Sequence, residues 1–129
     1  MNFAGYAALF GVPDAAQDII VPGAFVHSLA SRRGAVPLFW QHKPDQPLGL
    51  ITSIAEDARG LRVIGQIDNP HGRPAALLSQ RTLCGLSFGY RARQFTRRPQ
   101  GRVLLDIDLF EISLVMHPLQ HGARVHMVC

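Results

Sequence analysis

The chain has 129 residues, enough for one domain with a single modest core. Its hydrophobic fraction of 47% argues against disorder, and no apolar run nears the ~18 residues of a bilayer span. The net charge of +4 comes almost wholly from arginine, and two cysteines, Cys84 and Cys129, exclude a disulfide framework.

The opening "MNFAGYAALFG" lacks the basic start and long apolar segment of a signal peptide, so a soluble, intracellular chain with reduced thiols is expected. Within it "GYAALFG", short, apolar and glycine-bounded, predicts a first strand. "VPGAFVHSLASRRG" predicts an amphipathic helix, with Pro22 near its start, Phe25, Val26 and Leu29 on one face, and Gly34 after its last turn. "AVPLFWQH" reads as a buried strand ending at His42. "KPDQPLG" reads as a loop, since Pro44 and Pro47 each lack a ladder donor. In "LGLITSIAEDARGLRVIGQID" two β-branched runs flank "EDARG", the signature of a β-hairpin. "HGRPAALLSQR" predicts a second short helix. "LCGLSFGYRARQF" and "RVLLDIDLFEISLVM" are two long strands joined by "TRRPQG", and the tail from Pro118 stays unassigned.

The last strand changes phase. Val103, Leu105, Ile107 and Leu109 are apolar at odd positions, whereas Ile112, Leu114 and Met116 are apolar at even ones. Strand side chains alternate faces, so a bulge is required near Phe110 and Glu111, and bulges often re-aim side chains beside active sites. The whole is mainly β with α: about six strands forming a small barrel or strongly bent sheet flanked by two short helices.

Three residues carry candidate chemistry. Ser87 in "CGLSFGY" falls on the strand face opposite Leu86 and Phe88, with Gly85 and Gly89 beside it leaving room for a substrate backbone; the plain alternative is a serine on the wet side of an ordinary strand. His42 sits where a strand meets a proline-rich segment and is suited to accept a hydroxyl proton near neutral pH, or simply caps the core. Glu111, among hydrophobic neighbours, needs a partner, either an imidazole N–H or an arginine.

Other constellations carry less. His117, His121 and His126 are separated by Pro118 and Gly122 and lack further ligands, so no metal is expected. Cys84 falls on the apolar face, and Asp106 and Asp108 are expected to pair with arginines across the hairpin. Five arginines in "RARQFTRRPQGR" make a positive tip, but no nucleic-acid-reading motif accompanies them. No phosphate-cradling loop is present, and no cofactor is expected.

The fragments "GYAALFG", "IIVPGAF", "WQHKPDQPLG", "EDARGLRVIGQI", "GLSFGY" and "LFEISLVMHP", in this order and with these separations, resemble the prohead protease family of tailed phages, the capsid-maturation serine proteases. The resemblance runs from about residue 4 to about residue 125. It implies the bent β-barrel of the related herpesvirus assembly proteases, in one prohead-protease-like domain over residues 1–129. By the same resemblance Ser87 is the nucleophile and His42 the general base. The third member is Glu111, with His117 the alternative because the herpesvirus enzymes use a second histidine. An oxyanion needs a backbone N–H or an arginine, and Arg91 and Arg93 are the nearest basic candidates in sequence. The chain departs from the family at "HPLQ" and at Phe88, neither of which touches the proposed triad. Family members often carry a trimmed C-terminal extension, so a chain ending at Cys129 is expected to be a trimmed or a minimal form.

Two functions follow. The first is a serine endopeptidase that cleaves the scaffolding segment of the major capsid protein, and itself, inside the immature capsid in the host cytoplasm. The second is a non-catalytic capsid or scaffold assembly module whose basic hairpin binds acidic scaffold or nucleic acid. Neither involves a membrane or specific nucleic-acid recognition, and the oligomeric state is left open.

Overall fold

The computed structural model describes residues 1–129 as eight strands and two short helices. In chain order these are β1 (Asn2–Leu9), β2 (Ile19–Ile20), α1 (Val26–Ser31), β3 (Val36–Trp40), β4 (Lys43–Glu56), β5 (Gly60–Ile67), α2 (Arg73–Ser79), β6 (Gly85–Arg98), β7 (Gly101–Val115) and β8 (Val125–Val128). The hairpins expected from the sequence are present. In the β4–β5 turn, Asp57 Oδ1 accepts hydrogen bonds from the backbone N–H groups of Arg59 at 2.8 Å and Gly60 at 3.1 Å, an Asx-type closure.

Strand β7 organises the sheet. Antiparallel β6 pairs along its whole length, whereas β2 and then β3 pair with it in parallel. Val103 and Leu104 face both β6 and β2, and residues 112–114 face both β6 and β3, so β6 occupies one edge and β2 and β3 share the other. Beyond β3 the sheet continues through β4, β5 and β1 to β8. It bends until its ends approach, at single bridges between Phe10 and Ile20 and between Gly85 and Arg124. No continuous ladder closes it, so the architecture is a bent, incompletely closed barrel.

The predicted bulge is where the phase change required it. Gly89 pairs with Glu111 and Tyr90 with Leu109, leaving Phe110 as the extra residue, 51% exposed. Two further irregularities, between Ala92 and Gln94 and between Gln94 and Phe95, were not foreseen. Leu104 is buried and Leu105 is 40% exposed, because the ladder shifts again between Gln94 and Phe95. Two further strands escaped the reading, the two-residue β2 and β8 in the tail, whose hydrogen bonds to β1 organise a segment lacking clean alternation. "KPDQPLG" is also not a free loop. It lies within β4, with Phe39 opposite Pro47 and Trp40 opposite Lys43; residues 44–46 bulge outward, so Pro44 takes no ladder position, and Pro47 is paired on its β3 side alone.

Apolar side chains from every strand except β4's exposed start, and from α2, fill one buried cluster, with Leu29 of α1 packed against it while Val26, expected on the same apolar face, is exposed. Phe25, ahead of α1, meets Phe88 edge-on at 5.4 Å between ring centres, and Phe88 packs on Tyr90 at 4.8 Å. This packing fixes which face of β6 looks inward. Leu86 and Phe88 are buried opposite Leu114 and Ile112, so Ser87 and Gly89 must look outward.

Candidate active site

The outward face of the β6–β7 pair carries two directly opposed couples, Ser87 with Ser113 and Gly89 with Glu111. Paired residues in an antiparallel ladder project to the same side, so Ser87, Ser113 and Glu111 share one face. On the far edge of β7, β3 runs parallel and places Phe39 beside Ser113 and Trp40 beside Leu114. The chain must then reverse into β4, and it does so through Gln41 and His42, both in left-handed backbone conformation, with φ of 51° and 60°. Two consecutive non-glycine residues there are unfavourable by ~1–3 kcal/mol each unless the surroundings hold them.

Three hydrogen bonds to β7 and the residue that follows it hold this turn. Gln41 N–H donates to Leu114 O at 3.0 Å, the Met116 N–H donates to Gln41 Oε1 at 3.1 Å, and His42 N–H donates to Ser113 Oγ at 3.1 Å. The result swings the His42 ring over Glu111. Nδ1 lies 2.5 Å from Glu111 Oε1, and Ser113 Oγ donates to Glu111 Oε2 at 2.6 Å. The Ser113 distance is in the range of charge-assisted O–H···O bonds, and the His42 contact is shorter than is usual for a charge-assisted N–H···O bond. The Glu111 side chain is 10% exposed and the His42 side chain 43%. An ionised carboxylate only accepts, so Nδ1 carries the proton and the outer nitrogen, Nε2, presents a free lone pair in the neutral ring. This answers the need for a partner at Glu111: it is an imidazole, not an arginine.

Ser87 is buried to 7% exposure opposite Ser113, and its hydroxyl is hydrogen-bonded to neither His42 nor Glu111. His117 is exposed beyond the end of β7, and it is Glu111 rather than His117 that engages the His42 ring. The flanking glycines have a reason different from the expected substrate slot. A Cβ at Gly89 would run into the Glu111 side chain, with Cγ and Cδ at 2.9 Å, and one at Gly85 would meet Val115 O at 2.6 Å and Pro118 Cδ at 2.9 Å. Protein atoms fill those spaces. Glycine at position 89 leaves the space that the Glu111 side chain occupies while it bonds the imidazole.

Arg91 and Arg93 are not brought to Ser87. Arg91 pairs with Asp108 at 2.9 Å, and Arg93 lies 3.8 Å from Asp106 and 3.6 Å from Asp108, the cross-hairpin pairing expected for these acids. Arg102 is bound by Asp18 at 2.8 Å. Much of the arginine-rich hairpin's charge is therefore matched within the chain. Ser113 and Gln41 were missed by the sequence reading, although strand alternation from Glu111 reaches Ser113 in two steps.

A cavity of about 600 Å³ adjoins this region, lined by Trp40, Gln41, Met116 and residues of α2 among others. No helix is long and apolar enough to cross a membrane.

The chain is similar to known proteins in sequence and in fold. The family model described as caudovirus prohead serine protease matches residues 1–129. The prohead protease of Enterobacteria phage HK97 is 37% identical over 130 residues, spanning 95% of this chain and 58% of that protein. The capsid polyprotein of Pseudomonas phage PAJU2 is 28% identical over 127 residues, spanning 90% of this chain and 18% of that one. The chain thus spans less than two thirds of the length of these relatives. Among solved structures, the KSHV protease in complex with a hexapeptide phosphonate inhibitor superposes with a TM-score of 0.69 at 16% identity, over 96% of this chain and 63% of that one. Varicella-zoster virus protease superposes with a TM-score of 0.64 at 18% identity, over 97% and 62%. At these identities the likeness is one of fold, and the fold is that of the herpesvirus proteases.

Proposed function

The chain belongs to the caudovirus prohead serine protease family, and we propose that it is a serine endopeptidase of capsid maturation working through Ser87, His42 and Glu111. The observation that carries this reading is the 2.5 Å bond from His42 Nδ1 to Glu111, on the sheet face that also bears Ser87. In the reaction, His42 Nε2 takes the proton of Ser87 Oγ as the oxygen attacks the scissile carbonyl. Glu111 holds the ring through Nδ1–H and stabilises the imidazolium. The imidazolium then protonates the leaving amine, the C–N bond breaks, and an acyl-serine remains. Water, deprotonated by the same Nε2, cleaves that ester and restores Ser87. Unliganded enzymes commonly show long contacts between nucleophile and base that tighten on substrate, consistent with a Ser87 hydroxyl not yet bonded to His42.

The substrate we assign is the scaffolding segment of the major capsid protein, together with the protease itself, inside the immature capsid in the host cytoplasm. Likeness to proteins named prohead protease and capsid polyprotein supports that partner. A non-catalytic assembly role through the basic hairpin is less well supported, because Arg91, Arg93 and Arg102 are engaged by Asp108, Asp106 and Asp18.

Co-expression with the capsid protein tests the reading. Wild type should trim the scaffolding segment, and Ser87→Ala should leave it intact; equal trimming by both would sink it. A fluorophosphonate probe applied to assembling particles should label the wild-type chain and not Ser87→Ala.

A further inference from the structure

Ser113 takes no part in the scheme above, yet it is fully buried and touches both groups that control the imidazole. Its hydroxyl accepts the backbone N–H of His42 at 3.1 Å and lies 2.6 Å from Glu111 Oε2. A backbone N–H can only donate, so the hydroxyl oxygen is the acceptor in the first contact and its proton is free for the second, toward an ionised carboxylate. One side chain thus fixes the carboxylate and the backbone of the histidine together.

We propose that Ser113 is the positioning residue of this centre, a clamp that sets the rotation of the Glu111 carboxylate and pins the left-handed His42 backbone, so that Nδ1–H meets Oε1 and Nε2 faces outward. The proposal rests on the proteolytic reading for its consequence in turnover, and on geometry alone for its effect on the ring. The terminal torsion of a glutamate is broad, so without the Ser113 bond the carboxylate rotates and Oε1 leaves the line of Nδ1 for part of the time. The His42 backbone simultaneously loses one of the three bonds holding an unfavourable turn. Complete burial of Ser113 keeps water from taking over either role. The ladder also sets Ser113 directly opposite Ser87, so the clamp is built into the strand pair that carries the proposed nucleophile.

The test uses Ser113→Ala, Ser113→Cys, which keeps the volume but donates weakly, and Ser113→Thr, which keeps the hydroxyl. In the full chain acting on the capsid protein's scaffolding segment, the Ala and Cys variants should lower kcat roughly 10–100-fold with little change in KM, and Thr should recover most of it. The second readout needs no activity. In a Ser87→Ala background, two-bond proton–nitrogen correlation spectra with the ring neutral should show His42 as a single Nδ1–H tautomer when residue 113 is Ser or Thr, and as a mixture when it is Ala or Cys. A folded Ala or Cys variant that keeps the single tautomer overturns the proposal, whatever its kcat, since any loss of turnover would then be structural. Should the parent show no Ser87-dependent cleavage, the proteolytic reading fails by itself and the tautomer measurement still decides the role of Ser113.

Discussion

Gly89 and Glu111 are ladder partners whose side-chain space is shared: the volume that a methyl group at position 89 would fill is occupied by the Glu111 side chain on its way to His42. The same is not true four residues earlier on the strand. At Gly85 the obstructing atoms are the Val115 carbonyl and the Pro118 ring, neither of which can swing aside.

Alanine at these two glycines should therefore separate activity from stability. In Gly89→Ala the carboxylate can turn away, so folding changes little, but turning away breaks the bond to Nδ1, and kcat should fall on the order of 100-fold. Gly85→Ala forces backbone and proline apart and should cost about 1–3 kcal/mol of stability. Denaturant unfolding beside turnover on the same preparations checks both, and the expectation fails if Gly89→Ala is fully active.

Glu111→Gln should be more damaging than its near-identical shape suggests. Ser113 already accepts from His42 N–H and must donate its own proton, so the amide oxygen turns toward Ser113 and the amide NH₂ toward His42. The NH₂ then donates to Nδ1 and moves the ring proton to Nε2, the nitrogen that has to accept from Ser87. A wrong-tautomer imidazole of this kind lowers kcat by ~10³–10⁴-fold. Because a buried charge is removed, the melting temperature should hold or rise slightly. Active-site titration together with calorimetry would show a folded, nearly inert protein.

The site was legible in the sequence to the extent that it obeyed period-two alternation. Ser87 opposite the apolar Leu86 and Phe88, and the phase change at Phe110, follow from the order of apolar residues, because burial on one face leaves no freedom of register there. Arginine pairing across the β6–β7 hairpin was readable for the same reason. What was not readable depended on partners distant in the chain. The double left-handed turn at Gln41 and His42 has no glycine or asparagine to announce it, and it is held in place by β7 atoms more than 70 residues away. Similarly β8 is a strand only because β1 offers it an edge, and the reason for Gly89 is a side chain on the neighbouring strand.

Asp18 anchors the loop before β2 to the start of β7. It accepts from Arg102 N at 2.9 Å, Nε at 3.1 Å and Nη2 at 2.8 Å while itself only 4% exposed. The bond from the Arg102 guanidinium holds its carboxyl below the ordinary value of 3.8 despite burial. A depressed folded-state pKa adds stability that is fully present above the unfolded value and is lost as pH falls through the folded one. Stability should therefore decline in the acid region below about pH 4 as this group protonates, and Asp18→Asn should be less stable at neutral pH but show a shallower decline there. Melting temperatures of both proteins from about pH 6 to about pH 2 would decide it. Parallel curves would mean that other carboxyls dominate acid unfolding.

Gln41→Gly should lower activity while leaving stability nearly unchanged. Glycine adopts the left-handed conformation freely, which relieves the strain that φ of 51° imposes on glutamine. Against this, the variant loses the bond from Met116 N–H to Gln41 Oε1, worth about 0.5–1.5 kcal/mol, and gains unfolded-state freedom of about 0.4–1 kcal/mol. These terms nearly cancel, so the midpoint of unfolding should shift little. The turn that carries His42 nevertheless loses a tether to β7 and acquires the most permissive residue in the position before the base. Ring placement over Glu111 should become intermittent, and kcat should drop ~10-fold with KM largely kept, since positioning of the base rather than substrate binding is what has been loosened. Unchanged turnover in a variant of unchanged stability would mean that the 2.5 Å contact to Glu111 alone suffices to hold the histidine.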